Sequence, residues 1–116
     1  CLFMDKEELI KELEGVMNSV TVCEGLIYSK LDGEVIIGQT LTEMDHDSIS
    51  EGISKIFKLE LSAAQKGDVR DVSIELDDGA LVAVKNSDNF VIGLLGSDGL
   101  SSKGLLRRQL QNIMNV

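Results

Sequence analysis

The amino-acid sequence predicts a single α/β domain in which helices cover both faces of a largely antiparallel sheet. Three segments have the apolar spacing of amphipathic helices, and five short segments have the composition of strands. Asp-Gly pairs stand at two of the predicted hairpin turns. Two strands, Ala80 to Lys85 and Phe90 to Leu95, are apolar on both faces. Such strands lie in the middle of a sheet with helices above and below.

Length and composition limit the class of protein. The chain has 116 residues, of which 43% are hydrophobic, and it has no proline-rich or repetitive linker, so residues 1–116 are expected to form one domain. The net charge of −9 disfavours nucleic acid and anionic lipid as partners, and aromatic residues at 3% disfavour base stacking. We therefore expect no nucleic-acid partner and no membrane insertion.

The cysteines and the N-terminus indicate a cytoplasmic location. Two cysteines are too few for a disulfide framework, and Cys23 is interpreted as a buried thiol at the start of a strand. Acidic residues follow Met4 where a signal peptide would need basic ones, so no signal peptide is expected. Residues 1–4 are expected to form a flexible N-terminus, with Met4 as a candidate natural start.

The first half of the chain begins with a helix and a hairpin. The spacing of apolar residues predicts a helix from Asp5 to about Val20, with Asp5 as its cap. Strands are predicted over Gly25 to Leu31 and Val35 to Gly38, joined by a turn at Asp32-Gly33. Gly38 and Gly93 are expected to mark a bulge or a close approach to the backbone.

A long middle helix is predicted from Asp47 to Lys66, with Ser48 and Glu51 as a capping box. Its apolar arc is roughly 200° wide, about twice the width needed to cover one sheet. The second partner of this helix is either another copy of the chain or the first or last helix of the same chain. Glu60 falls near the middle of the arc, where its charge needs water or a cation.

The third strand, Val69 to Leu76, alternates apolar and polar residues. Val72, Ile74 and Leu76 face one way, and the intervening polar residues face the other. This pattern is typical of a strand at the margin of a sheet, and an open margin can pair with another strand. After the two apolar strands, a last helix is predicted from about Ser101 to Asn115. Its predicted inner stripe consists of Leu105, Leu106, Leu110 and Ile113.

The order of elements and two motifs resemble the roadblock / dynein light-chain family. The segment Glu24 to Gly38 is similar to the family's glycine, apolar strand, Asp-Gly turn and apolar strand. The segment Lys103 to Leu110 is similar to the Gly-Leu-x-Arg start of the last helix in longer members. The resemblance covers almost the whole chain, although this middle helix carries Ile, Phe and Lys where the family is typically rich in Ala and Met.

The resemblance implies a three-layer fold and a dimer. It implies a five-stranded sheet with one long helix on one face and two helices on the other. It further implies that two copies, identical or paralogous, join through the third strand and the middle helix. The expected dimer-interface residues are Ile49, Gly52, Ile53, Ile56, Leu59, Glu60, Ala63, Val69, Asp71, Ser73 and Glu75.

Family members act as platforms, and some bind Ras-like small GTPases. The resemblance therefore implies a dimeric scaffold that binds and regulates such a GTPase. The expected contact is an exposed ridge of the paired middle helices, formed by Glu51, Ser54, Lys55, Lys58 and Ser62. Arg107 and Arg108 are a second candidate contact, although a solvated face near the end of the last helix is the preferred interpretation.

Motifs of catalysis or cofactor binding are nearly absent, so we expect a protein that is not an enzyme and holds no cofactor or metal. A metal site formed by Asp45, His46 and Asp47 would need three successive loop residues to converge, and a solvated loop is the preferred interpretation. The paired acids at the hairpin tips are explained by turn chemistry.

Two other functions stay open. One is a purely structural adaptor, comparable to a motor light chain, which has no effect on nucleotide turnover. The other is a small-molecule sensor of the GAF or PAS type. The sensor needs an internal cavity with polar groups, and the apolar strands offer few of them.

Overall fold

The computed structural model describes residues 5–116, so residues 1–4 and the prediction of a flexible N-terminus lie outside the described part. The elements are α1 Lys6–Ser19, β1 Cys23–Lys30, β2 Val35–Thr40, α2 His46–Phe57, a 3-10 turn Ser62–Ala64, β3 Asp71–Leu76, β4 Gly79–Lys85, β5 Asn89–Gly96, a 3-10 helix Ser97–Ser102 and α3 Lys103–Met114. The predicted order of helices and strands is confirmed.

The five strands form one open antiparallel sheet in the order β2-β1-β5-β4-β3. The two strands that are apolar on both faces, β4 and β5, lie inside the sheet as predicted. β5 is central, and all of its residues from Phe90 to Gly96 are buried. β3 pairs only with β4 in the described residues and forms one edge of the sheet, which confirms the predicted margin.

Helices cover the two faces unequally. α1 and α3 lie on one face, where Leu9, Leu13, Leu106 and Leu110 pack against the sheet. Within residues 5–116, α2 is the only α-helix on the other face, where it packs on β1 and β2. Ile53 and Phe57 of α2 are buried there, and the Phe57 ring lies 5.5 Å from the Phe90 ring, centroid to centroid. The predicted three-layer fold is therefore confirmed.

Local sequence signals explain the start of α1 and the first turn. The Asp5 carboxylate accepts a hydrogen bond from the Glu8 backbone N–H at 2.8 Å, which caps α1 as predicted. Gly33, at the predicted Asp-Gly turn, has a φ of 100°, a backbone conformation that favours glycine. Gly38 and Gly93 mark close approaches as expected, to the His46 ring and to the Leu106 side chain.

The predicted bounds of the middle helix are wrong at both ends. The cap is Asp45, whose carboxylate accepts from the Ser48 N–H at 3.1 Å, so the helix begins at His46. The helix ends at Phe57 instead of Lys66. Phe57 is the last helical residue that reaches the core, and Leu59 and Leu61 beyond it are 56% and 54% exposed. Helical pattern without a packed face does not sustain a helix, because most helical stability comes from tertiary packing.

The inner stripe of α3 was predicted incorrectly at one position. Leu105 is 48% exposed, whereas Leu106, Leu110 and Ile113 are buried as predicted. Met114 is also buried. At 100° per residue, Leu105 lies about 140° from Leu110 around α3, so it points away from the stripe. The helix itself begins at Lys103, because Ser101 belongs to a 3-10 helix.

Candidate functional site: the open edge of the sheet

The backbone of β3 directs alternate hydrogen-bonding groups away from the sheet. The Arg70 carbonyl accepts from the Lys85 N–H of β4 at 3.2 Å. Pairing of β3 with β4 continues without a register shift from Asp71 to Leu76. Bonded and unbonded residues alternate in an antiparallel ladder. The backbone groups of Val72 and Ile74 therefore face β4, and those of Asp71, Ser73 and Glu75 face the open edge.

The side chains of β3 divide between the two faces of the sheet. Val72 lies opposite Ala83 and Ile74 opposite Leu81, and all four belong to the α2 side of the core. The other three, Asp71, Ser73 and Glu75, lie opposite residues of the α1/α3 side. The predicted alternation of β3 is confirmed, although Leu76 is 55% exposed and Val72 and Ile74 are only half-buried.

Hydrogen bonds fix the rotation of α2 about its axis. The Ser50 hydroxyl donates to the Ser29 hydroxyl at 2.6 Å, and the Ser54 hydroxyl donates to the Leu31 carbonyl at 2.6 Å. One flank of α2 therefore faces β1 and the turn after it, and Ile53 faces the sheet. At 100° per residue, Ile49, Gly52 and Ile56 lie on the opposite flank. That flank faces the β4–β3 side of the sheet.

An apolar shelf results beside the open edge. We define the apolar shelf as Ile49, Ile56, Val72, Ile74 and Leu81. All five side chains pack against the α2 side of the core, and all five are only half-buried. Leu81 of the shelf also lines an open groove of about 580 Å³, together with Met44, Leu76, Leu94 and four acidic residues. Half-buried apolar side chains beside an open strand are typical of a protein–protein interface.

The opposite side of the same edge is charged. Lys103 of α3 forms an ion pair with Glu75, and the guanidinium of Arg107 lies 4.0 Å from the Asp71 carboxylate. The hydrogen bond and charge of Lys103 lower the pKa of Glu75 below its ordinary value. Arg107 therefore contacts β3, which the sequence did not indicate.

The structure places the predicted interface residues in three different settings. Ile49, Gly52, Ile56 and Val69 lie on or near the apolar shelf, and Gly52 is exposed with no atom close to it. Asp71, Ser73 and Glu75 lie on the edge itself. Ile53 is only 3% exposed and belongs to the chain's own core, so it has little surface to offer a partner, and its place in an interface stays a prediction.

Three other predicted interface residues lie outside the helix. Leu59, Glu60 and Ala63 belong to the exposed segment that follows α2. Glu60 therefore does not lie in a helical apolar arc, and its exposed side chain has the contact with water that its charge was expected to need. These residues are on the surface, but no helix presents them to a partner.

Of the five residues of the predicted GTPase ridge, only the three charged ones are exposed on or next to α2. Glu51, Lys55 and Lys58 are exposed and follow one another at helical spacing, with the Glu51 and Lys55 charges 3.9 Å apart. Ser54 is buried, because its hydroxyl bonds to the Leu31 carbonyl, so its predicted exposure is wrong. Ser62 is exposed but belongs to the 3-10 turn.

The remaining chemical groups have structural partners. The His46 ring lies 3.0 Å from the Thr40 hydroxyl through Nε2, and Asp45 caps α2. Within residues 5–116, no group of three or more His, Cys, Asp or Glu is arranged to hold a metal ion. Cys23 is buried as predicted, its thiol donates to the Gly25 carbonyl at 3.3 Å, and burial raises its pKa.

Sequence reasoning missed the serine contacts of α2. Ser29, Ser50 and Ser54 are all buried and join α2 to the first hairpin. A signal was present, because Ser50 and Ser54 are four residues apart and lie next to Ile53 on the helix surface. Serines at this spacing indicate a face that contacts polar backbone as well as apolar side chains.

The fold is similar to that of several solved three-layer proteins. A Roadblock/LC7 domain from Streptomyces avermitilis superposes with a TM-score of 0.74 at 22% identity, covering 90% of each chain. MglB from Myxococcus xanthus superposes with a TM-score of 0.79 at 10% identity, covering 97% of this chain and 93% of that one. The chain therefore has the Roadblock/LC7 fold, as the sequence resemblance predicted.

The chain is also similar in structure to proteins that are not Roadblock/LC7 domains. A profilin from Schizosaccharomyces pombe superposes with a TM-score of 0.65 at 9% identity, covering 90% of this chain and 91% of that one. No protein-family model matches the sequence. No curated protein matches it either. The likeness to solved structures therefore establishes the fold, and the function has to be argued from the site.

None of the helices within residues 5–116 is both long enough and apolar enough to cross a bilayer.

Proposed function

We propose that the chain is a dimeric scaffold that binds and regulates a Ras-like small GTPase. The observation that carries the proposal is the open edge of β3 beside the apolar shelf, in a domain with the Roadblock/LC7 fold. The sequence resemblance supports the same function, because members of that family that bind small GTPases act as platforms. Because small GTPases act in the cytoplasm, the proposal includes a cytoplasmic location.

The dimer part of the proposal rests on what is left uncovered. A second β3, antiparallel to the first, would accept and donate the outward hydrogen bonds of Asp71, Ser73 and Glu75. The same approach would bring two apolar shelves together and place the exposed Gly52 of each α2 where two helices need to come close. Burial of half-exposed apolar side chains is the main favourable term of such an association.

The GTPase part of the proposal assigns the contact to the charged ridge. Glu51 and Lys55 point to solvent on the outer surface of α2, and Lys58 is exposed at its C-terminal cap. In the proposed dimer two such ridges lie on the same face of a continuous sheet. Lysines on this surface are local positive charges on a chain of net charge −9, so they suit an acidic patch on a partner.

Binding to purified Ras-like GTPases from the same genome, loaded with GDP or a non-hydrolysable GTP analogue, tests the proposal. K55E/K58E should weaken binding by at least about tenfold while leaving the dimer intact, because two favourable contacts become repulsive. K6E/K11E, on exposed positions of α1, makes the same charge change on the other face.

The outcomes separate the functions. Failure of the wild-type chain to bind any GTPase in either nucleotide state would overturn the regulator. Binding that leaves both GDP release and GTP hydrolysis unchanged would favour the structural adaptor instead. Equal loss of binding in K6E/K11E would mean that net charge, and not the ridge, governs the contact.

A further inference from the structure

We propose that Lys103 and Arg107 of α3 are the counter-ions that allow β3 to pair with β3 of a second copy, in a register centred on Ser73. The inference rests on the proposed dimer and adds two properties to it. One is the register of the shared strands. The other is a charge balance that the dimer requires and that two residues outside β3 supply.

The register follows from the outward backbone groups. Asp71, Ser73 and Glu75 direct their N–H and C=O groups to the open edge, and β3 ends at Leu76. An antiparallel pair centred on Ser73 uses all three residues of each chain. A slip of two residues in either direction leaves one of the three without a partner in the opposite strand. The centred register therefore forms the most hydrogen bonds.

This register creates an electrostatic conflict. Ser73 faces Ser73 of the second copy, and Asp71 of each chain faces Glu75 of the other. Residues in such bonded pairs have Cα atoms about 5.5 Å apart, with side chains on the same face. Two carboxylates directly opposite each other destabilise a strand pair. Because of the two-fold symmetry, the dimer contains this conflict twice.

The structure already holds the charges that resolve the conflict. Lys103 pairs with Glu75, and Arg107 lies 4.0 Å from Asp71. Both cations come from α3, on the face of the sheet to which the two carboxylates point. The edge therefore presents two neutralised carboxylates and one serine to the second copy, in a pattern that is complementary to itself.

Self-complementarity favours a second copy over an unrelated strand. An unrelated strand would match this edge best if it had basic residues opposite Asp71 and Glu75. The two α3 cations would then repel those basic residues. The apolar shelf is continuous with the same edge through Val72 and Ile74. A second copy brings an identical shelf and needs no basic strand.

The inference is tested by measuring the dimer dissociation constants of K103M and R107M by sedimentation at low salt. Methionine keeps the apolar stem of Lys103, whose side chain is 31% exposed, and removes only the charge. K103M should weaken the dimer by about tenfold, because each of the two carboxylate pairs loses one of its two counter-ions. R107M should have a smaller effect, and both effects should shrink in about 1 M salt, where charges are screened.

The matched control is R108M. Arg108 is exposed and makes no ion pair with any residue between 5 and 116, and R108M changes the net charge by the same amount. Adding E75Q to K103M should restore the dimer, because the uncompensated carboxylate is removed. Thermal unfolding of each variant at a concentration where it is monomeric checks that the fold is kept.

Each outcome decides the matter. A dimer in which K103M equals R108M overturns the counter-ion role and leaves the proposed dimer standing. A weakening that E75Q does not restore assigns Lys103 a packing role and overturns the inference as well. A wild-type chain that stays monomeric at every concentration overturns both the inference and the dimer in the proposed function.

Discussion

The two faces of the sheet differ in how completely the chain covers them. On one face, α1 and α3 bury Leu13, Leu106 and Leu110 to 1% exposure or less. On the other face, one helix of twelve residues covers β1 and β2, and the apolar shelf stays half-buried. The chain thus completes one core by itself and leaves the other unfinished at the β3 edge.

The difference separates stability from association. Apolar side chains that are fully removed from water stabilise the isolated chain, whereas half-buried ones retain apolar area that only a partner removes. Substitutions on the α1/α3 face should therefore lower the free energy of unfolding. Substitutions at the β3 edge should change the oligomeric state while the fold remains.

The largest expected effect on unfolding is on the completed face. Leu106 is fully buried and packs over Gly93, where a Cβ would lie 2.7 Å from a Leu106 methyl carbon. L106A should lower the free energy of unfolding by about 2–5 kcal/mol, measured by urea denaturation. L105A, at a neighbouring position that is 48% exposed, should change it by no more than about 0.5 kcal/mol. Similar values for the two variants would contradict the assignment of the core.

The same contrast explains how far the sequence predicted the molecule. The hairpin at Asp32-Gly33 and the alternation of β3 were predictable, because a turn and a period of two have local causes. The end of α2 was not, because Leu59 and Leu61 continue a helical pattern where the sheet offers nothing to pack against.

The candidate site was predictable only in part. The open edge followed from the pattern of β3, whereas the ion pairs of Asp71 and Glu75 with α3 did not. Glu75 and Lys103 are 28 residues apart in the sequence, and only the packing of α3 beside β3 brings them together. Likewise, the burial of Ser54 depends on a carbonyl of Leu31, 23 residues away.

The second prediction separates the two edges of β3 itself. S73P removes an N–H that faces the open edge, so it should abolish dimer formation and leave the monomer folded. V72P removes an N–H that faces β4, so it should lower the free energy of unfolding by about 1–3 kcal/mol through a lost ladder bond. Sedimentation and urea denaturation of both variants measure the contrast. The inferred direction of the backbone groups is wrong if V72P unfolds no more easily than S73P.

The third prediction concerns the attachment of α2. The Ser29 and Ser50 side chains are fully buried. Within residues 5–116, each hydroxyl has the other as its only side-chain hydrogen-bond partner. S50A should lower the free energy of unfolding by about 1–3 kcal/mol, because it leaves the Ser29 hydroxyl without this donor. S29A/S50A should recover much of that loss, and urea denaturation of the single and double variants measures the recovery. Equal losses in both would show that the hydroxyl pair is not the cause.

The smallest expected effect is at the start of α2 and depends on pH. Hydrogen bonds from the Ser48 hydroxyl and backbone N–H lower the pKa of Asp45 below its ordinary value of 3.8. A carboxyl whose pKa is lower in the folded chain contributes stability above its unfolded pKa and loses it as the pH falls through the folded value. Melting temperatures of the wild type and D45N should therefore converge below about pH 3.8, since asparagine caps a helix without titrating. The exposed position of Asp45 keeps the difference small, because water screens its interactions, and parallel melting curves at all pH values would exclude the charge of this cap as a contributor.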